Sequence, residues 1–247
     1  MVTNQPVQLF ATCLIDSLFP EIGEAVVEAL ARAGVQVEIP ADQTCCGQPP
    51  FNAGFHPEAA RIARHTIEVF SATHGPLIIP SGSCAAMIRH GYSELFMDDP
   101  VWLPRAKALA ARTFELSEFL VDQLGVVDIG ARYEARLAYH PSCHLLRELG
   151  VDRQPWTLLQ HVEGAEIARL PAECCGFGGV FAVDQYEISG EMLKKKMAQV
   201  EQSGADVVVG CDVSCLMHIE GGLRHIGSEV RCAHLAQILV GEKAGLR

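Results

Sequence analysis

Ten cysteines are spread over the 247 residues, and eight of them fall into two matching sets. Cys13 is followed by Cys45-Cys46-Gly47 and then by Cys84; Cys143 is followed by Cys174-Cys175-Gly176 and then by Cys215. The offsets between corresponding cysteines are 130, 129, 129 and 131 residues. Displacement by so nearly one constant marks a tandem duplication of one unit. The chemistry open to such sets is soft-metal ligation. Thiolates hold iron–sulfur clusters, and they hold zinc equally well by count. Adjacent cysteines on an extended backbone point to opposite faces, so each Cys-Cys pair needs a turn to aim both sulfurs at one centre. Gly47 and Gly176 supply it, because a residue without Cβ takes positive φ freely. The run Gly176-Phe177-Gly178-Gly179 also lets backbone amides approach cluster sulfurs, which tunes potential.

Other candidates carry less. Cys211 is a fifth thiol in the second set. Cys232 stands alone between Arg231 and Ala233 and is expected as a buried core thiol. His140 and His144 flank Cys143 and could ligate metal or move protons, but satisfied structural histidines are the expectation. His56, His218, His225 and His234 read as helix surface or caps. Ser81-Gly82-Ser83 lacks a GxGxxG or P-loop pattern, so phosphate binding is not expected there. Lys194-Lys195-Lys196 reads as a solvated helix face.

These residues must be positioned by something. Short β-branched or apolar runs precede the cysteines: 7–12 before Cys13, 77–79 before Cys84, 136–139 before Cys143, 207–209 before Cys215. Residues 35–39 and 166–170 precede the two Cys-Cys-Gly segments in the same way. Such continuous runs suit strands of a parallel sheet buried on both faces. Between them lie helical patterns at 22–33, 57–70, 116–124 and 186–200, the first stopped by Gly34. The fold class expected is α/β: two tandem pseudo-repeated Rossmann-like units with parallel sheets, cysteine loops at the carboxyl ends of the strands. The first unit is expected over 1–128 and the second over 129–247.

Composition narrows the partners. The net charge of -11 argues against nucleic acid, whose phosphates need clustered Lys and Arg. Residues 1–6 show no signal peptide, and no apolar run reaches spanning length, so a cytoplasmic protein without membrane insertion is expected. Cytosolic thiols stay reduced, which favours metal or redox chemistry over disulfides.

At Cys-Cys-Gly the sequence resembles the duplicated cysteine-rich CCG domain family, found in the B subunit of heterodisulfide reductase and the iron–sulfur subunit of glycolate oxidase. The supporting segments are Phe10-Ala11-Thr12-Cys13, Thr44-Cys45-Cys46-Gly47-Gln48-Pro49, His140-Pro141-Ser142-Cys143-His144, Glu173-Cys174-Cys175-Gly176 and Ser214-Cys215-Leu216-Met217-His218. The chain is similar to the short members, which lack an attached ferredoxin domain. The resemblance implies an iron–sulfur oxidoreductase subunit that oxidises L-lactate to pyruvate. Its partners would be a ferredoxin-like iron–sulfur subunit and a third lactate-utilisation subunit. Heterodisulfide-type thiol chemistry or a glycolate oxidase-type role are the alternatives. It also implies [4Fe–4S] clusters, in the heterodisulfide reductase subunit of non-cubane form and held by five cysteines, the last two as Cys-x-x-Cys. Here Ser81 replaces the first of that closing pair in copy one, and Cys211 stands one residue too far from Cys215 in copy two. Zinc in the first copy fits the same count. The metal-binding residues expected are Cys13, Cys45, Cys46, Cys84, Cys143, Cys174, Cys175, Cys211 and Cys215.

Overall fold

A computed structural model describes residues 6–241 and Leu246. Strands β1 (Val7–Leu9), β2 (Val37–Glu38), β3 (Leu77–Ile79) and β4 (Thr113–Glu115) form a parallel sheet in the order β2-β1-β3-β4. Strands β5 (Arg132–Tyr139), β6 (Glu163–Arg169), β7 (Val207–Gly210) and β8 (Arg231–His234) repeat that order as β6-β5-β7-β8. Leu9 pairs with Ile78 in the first sheet as Tyr139 pairs with Val209 in the second. The β-branched runs of β3 and β7 are buried along their whole length, as a strand covered by helices on both faces requires. The duplicated α/β architecture read from the cysteine spacing is thus the fold.

Helices lie between the strands where the apolar periodicity places them. Pro20–Arg32 buries Ile22, Ala25, Val26, Ala29 and Leu30 at a 3–4 spacing, with Pro at its first turn. His56–Ser71 and Tyr186–Ser203 follow the same logic, the latter ended by left-handed Gly204. The helix expected over 116–124 begins as an α turn, Leu116–Glu118, and continues as a π turn, Phe119–Gln123.

Strands β4 and β8 have no clear apolar run, because each ends in a polar residue with a second duty. Glu115 accepts hydrogen bonds from the Ser117 and Glu118 amides and caps the following turn, with Glu118 reciprocating. His234 caps Leu235–Val240 through Nδ1, with Gln237 reciprocating. Both are fully buried. Burial pushes the Glu115 carboxyl up to about 7 and the His234 imidazole down to about 4.

The halves do not bury separate cores. Val7, Leu9, Val26 and Leu30 belong to the same packed cluster as Leu137, Tyr139, Leu235 and Leu239. Helix Pro20–Arg32 lies against Leu235–Val240, and Arg32 donates to the terminal carbonyls of that helix, Nη2 to Val240 O at 3.0 Å. Carbonyls left open at a helix end are thereby satisfied from the other half.

One surface expectation needs correction. Lys194 and Lys195 pair with Glu191 and Glu173 on the solvated side. Lys196 does not join them: it is 1% exposed, and its Nζ donates to Pro171 O at 2.8 Å. One residue of an α-helix advances the face by about 100°, enough to turn the third lysine inward.

Candidate metal centre

The carboxyl ends of β1, β3, β5 and β7 meet at a cavity of about 270 Å³. Both cysteine sets line it. Cys13 opens the helix Cys13–Leu18, and Cys84 lies in the short helix Gly82–Ala86. Cys143 immediately precedes the π turn His144–Glu148, and Cys215 lies in the first turn of Val213–His225. The Cys-Cys-Gly loops follow β2 and β6.

Within each half the four thiols form a chain of contacts. In the first, Cys13 touches Cys45, Cys45 touches Cys46, and Cys46 Sγ donates to Cys84 Sγ at 3.3 Å. In the second, Cys143 Sγ donates to Cys174 Sγ at 4.0 Å, Cys174 touches Cys175, and Cys175 touches Cys215. The amides of Gly47 and Gly176 donate to Cys45 and Cys174, each at 3.4 Å. Cys46, Cys84, Cys175 and Cys215 are buried, whereas Cys13, Cys45, Cys143 and Cys174 are half-buried.

The electrostatics repeat with the geometry. Hydrogen bonds from Cys13 and Cys46 pull the Cys45 thiol down to about 3. Those from Cys143 and Cys175 pull Cys174 down to about 2. Cys13 and Cys143 are pushed well up, first as donors to those thiolates and then by burial. In each half the hydrogen bonds thus favour ionisation of the first thiol of the Cys-Cys pair, and a metal ion would displace the remaining protons. Four soft donors converging on one side of the cavity fit a thiolate-bound centre.

Gly176 holds its loop in place. Its φ is 95°, and a Cβ there would lie 2.7 Å from Ser189 O and 2.9 Å from Met192 Cβ. Ser189 Oγ also donates to Gly176 O at 2.8 Å. Gly176→Ala is expected to destabilise the protein by about 2–4 kcal/mol, from the left-handed backbone plus overpacking. Chemical denaturation is the check, and a cost below about 1 kcal/mol would refute the close-approach argument.

The structure gathers eight of the nine predicted ligands and leaves Cys211 apart. That residue is fully buried in the core shared by the halves, its thiol beside the Glu115 carboxyl, and it does not line the cavity. Burial pushes that thiol well up. The physical reason is register. Ser81 stands three residues before Cys84, and the residue three before Cys215 is Asp212, not Cys211. Ser81 and Asp212 are the N-caps of equivalent helices, and they meet: Ser81 Oγ donates to Asp212 Oδ1 at 2.8 Å. The Ser83 amide donates to the same oxygen at 2.9 Å, and Ser142 Oγ donates to Oδ2. One carboxylate thus ties the two cysteine sets together. Cys232 is a core thiol, as expected, with its amide bonded to Glu220.

The histidines divide. His144 lies on the cavity wall, its Nδ1 3.6 Å from Cys143 Sγ and its Nε2 3.5 Å from Glu148. His234 is a cap, as described. His140 is not the satisfied structural residue expected: it is 1% exposed, and neither ring nitrogen has a hydrogen-bond partner. Burial pushes its imidazole down to about 3. The signal lay in the repeat, since the corresponding residue three before Cys13 is the apolar Phe10.

The model of the cysteine-rich CCG domain matches twice, over residues 7–89 and 137–220. The chain belongs to this family. Each match spans one four-thiol set and its supporting strands. Among similar members are proteins named Lactate utilization protein A. The one from an Exiguobacterium species is 48% identical over 94% of this chain and 96% of its own length. Those from Halalkalibacterium halodurans and Geobacillus kaustophilus are 46% and 45% identical over the same share of this chain. In fold, the chain is similar to a hypothetical protein from Helicobacter pylori, with a TM-score of 0.64 at 12% identity. That match covers 97% of this chain and 50% of the longer one.

Proposed function

We propose that this chain is an iron–sulfur subunit of a multi-component system that oxidises L-lactate to pyruvate, working in the cytoplasm with a ferredoxin-like subunit and a third subunit. The observation that carries the reading is the convergence of two four-thiol sets on one cavity. Relatives of nearly the same length named for lactate utilisation support it. Cys13, Cys45, Cys46 and Cys84 would hold one centre; Cys143, Cys174, Cys175 and Cys215 the other. Iron–sulfur clusters supply one-electron transfer with little rearrangement. The chain's own part is to hold the sulfurs, to keep water from the buried side of each set, and to leave the half-buried thiols facing a partner. We place the boundary between the repeated units at 128/129, just ahead of β5. Among the described residues, no helix is long and apolar enough to cross a membrane.

A second reading has one observation in its favour. The 3.3 and 4.0 Å sulfur separations are close to the edge, about 3.8 Å, of a thiolate tetrahedron around zinc. Analysis of iron, zinc and acid-labile sulfide in protein made anaerobically with iron in excess separates the two. The expected result is iron and sulfide together, reduced by lactate once both partner subunits are added. Stoichiometric zinc without sulfide would replace the redox reading with a structural one.

A further inference from the structure

We propose that a ring nitrogen of His140 is a fifth ligand to the metal centre of the second half, beside Cys143, Cys174, Cys175 and Cys215. This rests on the reading of that half as a metal site. One ring nitrogen of His140, Cys175 Sγ and Cys215 Sγ all lie within 4.8 Å of one another. The imidazole is out of contact with water, and both of its nitrogens lack a hydrogen-bond partner. Buried polar groups are seldom left so, because the lost hydration is not regained. A bond to metal gives one of the two nitrogens its partner. Neutral imidazole is also a good donor to iron and to zinc alike.

Comparison of the two halves removes the simplest alternative, that the fold itself requires a histidine here. Phe10 and His140 occupy equivalent places: the Phe10 amide donates to Ile78 O at 3.0 Å and the His140 amide to Val209 O at 2.8 Å. Phe10 packs in one cluster with Cys46 and Cys84, the counterparts of Cys175 and Cys215. The backbone therefore accepts a ring without any donor at this position. The second half has a nitrogen where the first has carbon, within 4.8 Å of the counterpart sulfurs of Cys175 and Cys215. The two centres consequently differ in ligand set, with sulfur alone in the first and sulfur plus nitrogen in the second. A neutral donor adds no negative charge, whereas a fifth thiolate would, and a less negative cluster is easier to reduce.

The test uses the full chain, labelled with 15N-histidine, loaded with iron under anaerobic conditions and reduced. Pulsed electron paramagnetic resonance reads the nitrogen coupling. The expected result is a 15N coupling of direct-ligand strength that disappears in His140→Phe, a variant built on Phe10, and persists in His144→Ala and Cys211→Ala. Iron-loaded protein without such a coupling overturns the proposal while leaving the iron–sulfur reading intact. Loss of the coupling in His144→Ala in place of His140→Phe overturns it too. If the chain takes up zinc instead, cobalt(II) exchanged into the site gives the same reading. A chain that takes up no metal overturns both the proposal and the reading beneath it. If His140→Phe does not fold, the labelled unsubstituted protein and His144→Ala decide the matter together: no coupling in the first, or its loss in the second, overturns the proposal.

Discussion

Cys46→Ala and Cys175→Ala will each empty their own half and leave the other loaded, so metal content will fall to roughly half per variant and to near zero in the double variant. Each of these residues is the middle of its thiol chain. Cys46 contacts both Cys45 and Cys84, and Cys175 contacts both Cys174 and Cys215. Both are 2% exposed, so no water can step in as a mobile replacement. The sets touch through Asp212 and its serine partners, not through sulfur, which is why the halves should empty separately. Cys211→Ala is the discriminating control. It removes a core thiol beside Glu115 and is expected to keep all of its metal, at a packing cost of about 1 kcal/mol. Metal and sulfide per chain, measured on the four proteins, are the readout. Equal loss in Cys211→Ala and Cys175→Ala would show that the thiols have been divided wrongly.

Asp212→Ala should be the most destabilising change at the junction of the halves, by about 3–5 kcal/mol. The carboxylate is 1% exposed and accepts from Ser81 Oγ, the Ser83 amide and Ser142 Oγ. Alanine takes the acceptor from all three at once: the buried Ser142 Oγ, the half-buried Ser83 amide, and Ser81 Oγ, which keeps only the Ser83 hydroxyl at 3.1 Å. Packing offers little relief. Gly82 sits so tightly against Leu145 that even a Cβ there would lie 2.7 Å from Leu145 Cβ. Ser81→Ala removes one donor and leaves the others paired, so its cost should be nearer 1 kcal/mol. For a chain of this size the larger loss lowers Tm by roughly 10 °C. Thermal melts of the two variants decide the point. A shift for Asp212→Ala no larger than that for Ser81→Ala would mean that the carboxylate is not what joins the sets.

Much of this was legible in the sequence, and the failures have identifiable physics. The constant cysteine offset exposed the duplication, and the β-branched runs ahead of Cys84 and Cys215 exposed two central strands. Strands β4 and β8 stayed hidden because Glu115 and His234 spend their side chains on helix caps, so a buried strand end reads as polar. Cys211 looks like a ligand by residue type, but its register places it beside Glu115 and off the cavity wall. Counting back from Cys215 reaches Asp212, the true counterpart of Ser81. Lys196 and His140 share a third cause. Burial of a polar side chain is decided by what packs over it from elsewhere in the chain, and no local pattern announces it.

The grip of Arg32 on the end of helix Leu235–Val240 bears on how the molecule is made. The two residues it joins lie 208 positions apart. On the ribosome, the inner face of helix Pro20–Arg32, with Ala25, Val26, Ala29 and Leu30, emerges long before the segment that covers it. Until residues 235–240 have been made, the nascent first half therefore keeps part of that oily stripe open to water, available to chaperones or to a neighbouring chain.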